Sequence, residues 1–99
     1  FLNINKLGLQ FFKVSLYLQD HTEEEKTKLL TFAKSIPNVI HIIKSIGSWE
    51  IELEIEAEEI EDIYQIIEEL KTKFPHTIKK TDITIINKEH KLDFFPEWY

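Results

Sequence analysis

Val39-Ile40-His41-Ile42-Ile43-Lys44-Ser45-Ile46-Gly47-Ser48-Trp49-Glu50-Ile51-Glu52-Leu53-Glu54-Ile55-Glu56-Ala57 consists of two β-branched runs that meet at a single glycine. That pattern predicts an antiparallel hairpin. Past the glycine, Ile51, Leu53, Ile55 and Ala57 alternate with Glu50, Glu52, Glu54 and Glu56. As a strand, this run places aliphatic side chains on one face and carboxylates on the other. The rest of the chain is expected to cover this hairpin or pair with it.

Upstream, a strand is predicted from about Leu9 to Gln19, with Phe12, Val14, Leu16 and Leu18 on one face and Phe11, Lys13, Ser15 and Tyr17 on the other. Thr22 stands three residues before Glu25, the spacing of a capping box, so a helix begins there. Its inward face is Leu29, Phe32, Ala33 and Ile36, and Pro37-Asn38 stops it. After the hairpin, Ile60, Ile63, Ile67, Leu70 and Phe74 recur at helical spacing from about Glu59 to Lys73, and Ile78 to Asn87 reads as a fourth strand. The order strand, helix, strand, strand, helix, strand predicts an α+β, ferredoxin-like split βαβ fold. Its four-stranded antiparallel sheet would carry both helices on one face.

This topology leaves the second sheet face bare. That face is expected to carry Glu50, Glu52, Glu54 and Glu56, with Lys13, Ser15 and Tyr17 on the neighbouring strand. Such a face is either solvated and stabilised by cross-strand pairs or apposed to a second copy of the sheet. The aromatic ending Phe94-Phe95-Pro96-Glu97-Trp98-Tyr99 exceeds what so small a core can cover. A homodimer at least is therefore expected, with Lys13, Tyr17, His41, Glu52, Glu54, Phe95 and Trp98 at its interface.

The 99 residues suit one domain with one modest core. The formal charge is -6, and the basic residues are all lysines. That balance argues against this chain gripping nucleic acid, which needs a basic face. No cysteine is present, so disulfides and thiolate metal sites are excluded, in keeping with a cytoplasmic protein. No apolar run is long enough to span a bilayer. The four histidines, His21, His41, His76 and His90, lack metal-ligand spacing, so no metal and no cofactor are expected. No Gly-x-Ser-x-Gly elbow or Ser/His/Asp set occurs, and the absence of arginine removes the acylphosphatase chemistry known on this topology. The chain is read as a non-enzyme. Gly47-Ser48-Trp49-Glu50 has two readings: a turn glycine with a packed tryptophan, or a small-molecule site where glycine exposes backbone N–H groups and Glu50 meets an ammonium.

Phe11-Phe12-Lys13-Val14, Ile36-Pro37-Asn38-Val39-Ile40, Gly47-Ser48-Trp49-Glu50, Ile66-Ile67-Glu68-Glu69-Leu70, Phe74-Pro75 and Phe95-Pro96 together carry a family likeness. The chain resembles the C-terminal effector and oligomerisation (RAM) domain of leucine-responsive, Lrp/AsnC-type transcription regulators. The resemblance implies that residues 1–8 are a linker strand from an upstream helix-turn-helix domain that binds DNA, and that residues 9–99 are the effector domain. It also implies sheet-to-sheet dimers that assemble into tetramers or octamers. An amino acid or related metabolite would bind between dimers near Gly47, Ser48, Trp49 and Glu50. Two positions depart from the family pattern: Ser48 stands where an acid is usual after the glycine, and Glu50 where an aspartate is usual. The alternative is a stand-alone dimeric module that binds a small molecule and regulates a metabolic enzyme.

Overall fold

The computed structural model describes residues 8–44 and 49–86. Six elements follow in the expected order: β1 (Gln10–Leu18), α1 (Glu23–Ser35), β2 (Val39–Lys44), β3 (Glu50–Ala57), α2 (Ile60–Lys73) and β4 (Ile78–Ile86). The strands form one antiparallel sheet in the order β2-β3-β1-β4. This is the ferredoxin-like α+β arrangement, with the first and third strands side by side in the centre.

Alternation decides which face is buried. Phe12, Val14 and Leu16 of β1 and Ile51, Leu53 and Ile55 of β3 are fully buried. They meet Leu29 and Ala33 of α1 and Ile63, Ile66, Ile67 and Leu70 of α2 in one core. Ile66 adds to the inward residues anticipated for α2. Phe32 and Phe74 sit at the margin of this core with ring centroids 5.9 Å apart. Among the described residues, every buried side-chain nitrogen or oxygen has a hydrogen-bond partner, as a stable interior requires.

The local signals act as their chemistry dictates. Thr22 Oγ1 accepts from the Glu25 N–H at 3.1 Å, while Glu25 Oε1 accepts from the Thr22 N–H at 2.8 Å. Two donors that the helix leaves unpaired are thus satisfied reciprocally. Thr22→Ala removes one of these bonds and is expected to cost about 1 kcal/mol, roughly 4–8 °C in Tm. Urea and thermal unfolding followed by circular dichroism check it.

Helix α1 closes at Ile36, whose extended backbone (φ -81°, ψ 118°) is the conformation that a following proline imposes. Asn38 then starts the hairpin. Its side-chain amide donates to the Glu56 carbonyl at 2.9 Å and its own carbonyl accepts from the Glu56 N–H at 3.0 Å. The β2–β3 register slips by one between Val39 and His41. This bulge turns His41 and Ile43 to the face of the β3 carboxylates. None of the helices among the described residues is long and apolar enough to cross a membrane.

Candidate sheet-face interface and hairpin site

Both helices lie on one side of the sheet, so the other side has no covering layer among the described residues. The register assigns its side chains to rows that run across the strands. One row holds Glu56, Phe11 and Ile86. The next holds His41, Glu54, Lys13 and Thr84, and the third Ile43, Glu52, Ser15 and Asp82. The last holds Glu50, Tyr17 and Lys80. Five of the seven residues expected at an interface, Lys13, Tyr17, His41, Glu52 and Glu54, thus share this one face. Phe95 and Trp98 lie outside the described residues.

The face is linked by polar contacts within the chain. Lys13 Nζ lies 3.9 Å from Glu52 Oε2, both side chains being partly exposed. A ring nitrogen of His41 lies 2.9 Å from Glu54 Oε1. The Lys80 ammonium sits 4.9 Å from the centroid of the Tyr17 ring, within the range where the ring face attracts a cation. Ser15 is only 8% exposed although no layer among the described residues covers its face. Glu52 and Asp82 stand opposite it on β3 and β4, and Lys13 and Tyr17 flank it along its own strand. Ile43 is 45% exposed and gives the face an apolar margin.

Of the hairpin residues proposed to meet a ligand, Gly47 and Ser48 lie outside the described residues. Trp49 and Glu50 are placed, and they diverge. Trp49 is 55% exposed and sets its ring edge-on to His21, centroids 5.5 Å apart. His21 belongs to the β1–α1 connection and is held by a 2.8 Å contact between Nδ1 and the Gln19 carbonyl. The Trp49 carbonyl accepts from the Leu18 N–H at 2.7 Å, which extends the β1–β3 ladder to the sheet's end. Glu50, one residue on, faces the other way, opposite Tyr17 on the uncovered face. A ligand at this end would therefore meet the indole and the carboxylate from the two sides of the sheet margin.

Sequence reading did not place Lys80 on this face, and set Asp82 only in alternation with Ile83 and Ile85. Their signal was the period-two pattern of β4, which becomes informative only once β4 is registered against Tyr17 and Ser15. Among the described residues, open grooves of about 1020 and 540 Å³ lie on the helical layer. The larger follows α2 past Tyr64 and Glu68, and the smaller passes Phe32, Lys73 and Phe74. Among the described residues, no three His, Asp or Glu side chains converge as a metal ion would require.

The sequence matches no family model and no curated protein. Solved structures do resemble the fold. An AsnC family transcriptional regulator from Agrobacterium tumefaciens superposes with a TM-score of 0.67 at 12% identity, over 83% of this chain and 53% of that one. A transcriptional regulator from Neisseria meningitidis, solved as an L-Met complex, gives 0.65 at 16% identity, over 88% and 55%. The likeness is one of fold. The chain spans little more than half the length of either regulator. A dimeric protein of ferredoxin-like fold from Bacteroides fragilis gives 0.53 at 16% identity, over 81% of this chain and 96% of that one.

Proposed function

We propose that this chain is the effector-sensing and oligomerisation domain of an Lrp/AsnC-type transcription regulator. The observation that carries the reading is the sheet face that has no covering layer among the described residues, lined by Lys13, Tyr17, His41, Ile43, Glu52 and Glu54. The fold-level likeness to AsnC-type regulators, one of them an L-Met complex, supports it. In this reading the sheet face pairs two copies into a homodimer, and dimers assemble further into tetramers or octamers. An amino acid or related small metabolite binds at the hairpin end, Gly47 to Glu50, with the Glu50 carboxylate taking the ammonium group. DNA is engaged through an upstream domain, since this chain is acidic and has no arginine. The chain itself performs no catalysis.

The test is isothermal titration of the chain with a panel of L-amino acids, beside Glu50→Gln. The variant is expected to lose at least tenfold in affinity, because a neutral amide exchanges a charge-assisted contact for a weaker one. Its Tm should stay within a degree or two. Unchanged affinity would remove Glu50 from the site, and no binding by any amino acid would reduce the role to assembly.

A second reading has its own support. The dimeric ferredoxin-like protein from Bacteroides fragilis is matched over nearly its whole length, so this fold occurs as a dimer without a further domain. A stand-alone module of that kind would bind a small molecule and regulate a metabolic enzyme. Salt-dependent binding of the natural full-length protein to promoter DNA separates the two readings.

A further inference from the structure

The smaller groove on the helical layer, of about 540 Å³, differs in charge from the chain around it. Helix α1 contributes Thr27, Lys28, Thr31 and Phe32, which the helical repeat brings to one side, and the end of α2 contributes Lys73 and Phe74. Among the described residues, no Asp or Glu lines it. In a chain with 18 acidic residues and a formal charge of -6, that is a local reversal of sign. The larger groove, which Lys73 also borders, carries Asp62, Glu68 and Glu69. A small anion is therefore drawn to the smaller groove and repelled from the larger.

The floor of the smaller groove is aromatic. Phe32 and Phe74 pack at the core margin with ring centroids 5.9 Å apart and planes inclined by 55°. The Phe74 N–H donates to the Leu70 carbonyl at 2.9 Å, and the Phe74 carbonyl accepts from the N–H groups of Thr77 and Ile78 at 3.2 and 3.1 Å. These bonds hold its backbone where α2 ends, and packing against the core holds its ring, so the floor is set before a ligand arrives. A planar ring packs against such a tilted pair by its edge or by an offset face. An enclosed cavity of about 150 Å³ already holds benzene, so this groove has room for one ring with a short side chain.

The cations stand beside that floor. Lys73 Nζ lies 5.1 Å from the centroid of the Phe32 ring, and among the described residues it forms no ion pair. Lys28, one turn before Phe32, lies 3.7 Å from Glu24 with both side chains well exposed, a pair weak enough to exchange for a better partner. The hydroxyls of Thr27 and Thr31 form no hydrogen bond within the chain among the described residues. A carboxylate at this place would accept from an ammonium group and a threonine hydroxyl, and bonds assisted by charge are the stronger kind.

We propose that this groove binds small aryl carboxylates, with the ring against Phe32 and Phe74 and the carboxylate between Lys28 and Lys73. The site lies on the helical layer, apart from the sheet face and the hairpin end, and rests on the reading of neither. Its charge also sets its selectivity. An amino acid brings an ammonium group, which the two lysines repel.

The test is titration of the chain with hydrocinnamate, followed through its backbone amides by heteronuclear NMR. Hydrocinnamide and L-phenylalanine are titrated beside it, since the first removes the charge from the same skeleton and the second adds an ammonium group. Saturable shifts are expected at Thr31, Phe32, Lys73 and Phe74, with hydrocinnamate binding there at least about fivefold more tightly than either analogue. Lys73→Gln, at an exposed position, should weaken it about tenfold. Lys71→Gln removes the same charge from an exposed position of α2 outside the groove, and should change the affinity by less than about twofold.

Equal affinity for the amide or the amino acid at these residues would overturn the proposal, as would equal affinities of Lys73→Gln and Lys71→Gln. Shifts centred on Trp49 and Glu50 would overturn it too, by assigning the aryl acid to the hairpin end. Absence of saturable shifts up to the solubility of hydrocinnamate would end the proposal and leave the homodimer and amino-acid readings as they stand.

Discussion

Phe12→Ala is expected to cost about 3–5 kcal/mol of folding stability. Phe12 is fully buried on a central strand, opposite Ile55 of β3 and Ile85 of β4, with the helices across the core from it. Truncation removes a large apolar side chain from contact and leaves a void that flanking strands, tied by ladder hydrogen bonds, cannot close. A domain of this size has about 5–15 kcal/mol in total, so the variant would sit near the limit of folding. Chemical denaturation at fixed protein concentration measures the loss as a fall in midpoint at constant slope. Tyr64→Ala, on the exposed side of α2 with 52% of its surface in solvent, is the control. It should change stability by no more than about 0.5 kcal/mol. A loss below about 1.5 kcal/mol for Phe12→Ala would mean that the core is looser than the register implies.

Phe12 was legible as core from sequence alone, as were all the alternating residues of β1 and β3. Period-two patterning survives into the fold whenever one face is buried and the other is not. The capping box at Thr22 and the stop at Pro37 were legible for a different reason. They are local chemistry, decided within four residues. What sequence could not supply was anything that depends on register between distant strands. Lys80 reaches Tyr17, and His21 meets Trp49, only because β1 lies between β3 and β4 and its last residues share a hydrogen bond with Trp49. The bulge at Ile40 belongs to the same class. Without it, the alternation in Val39-Ile40-His41-Ile42-Ile43 would present a different set of side chains to the uncovered face. The candidate hairpin site was only half legible: grouping Trp49 with Glu50 by adjacency overlooks that neighbouring strand residues face opposite ways.

Lys13→Glu is expected to dissociate the proposed homodimer, raising its Kd by about a thousandfold or more. In the proposed homodimer two sheet faces are apposed, and Lys13 lies near the middle of each, beside Glu54 and Glu52 of its own chain. Charge reversal therefore turns the two ammonium groups of a carboxylate-rich, partly dehydrated interface into two more carboxylates, at several kcal/mol. Within the monomer the same change costs far less. The Lys13–Glu52 pair is partly exposed and 3.9 Å long, and such pairs contribute about 1 kcal/mol at most. Monomer folding and dimer affinity should thus separate, with Tm at low protein concentration falling by a few degrees and the sedimentation boundary moving to the monomer. Lys28→Glu supplies the control for net charge. Lys28 lies on the exposed side of α1, 3.7 Å from Glu24, and its reversal makes the chain equally more acidic without touching the sheet face. Its Kd should change no more than a few-fold. Equal weakening in both variants would make the interaction a matter of overall charge. Loss in Lys13→Glu alone locates it on the sheet, and recovery when Lys13→Glu chains are mixed with Glu54→Lys chains shows that the two sheet faces meet between copies. Each of those chains is like-charged within itself, so only an intermolecular pairing can restore them.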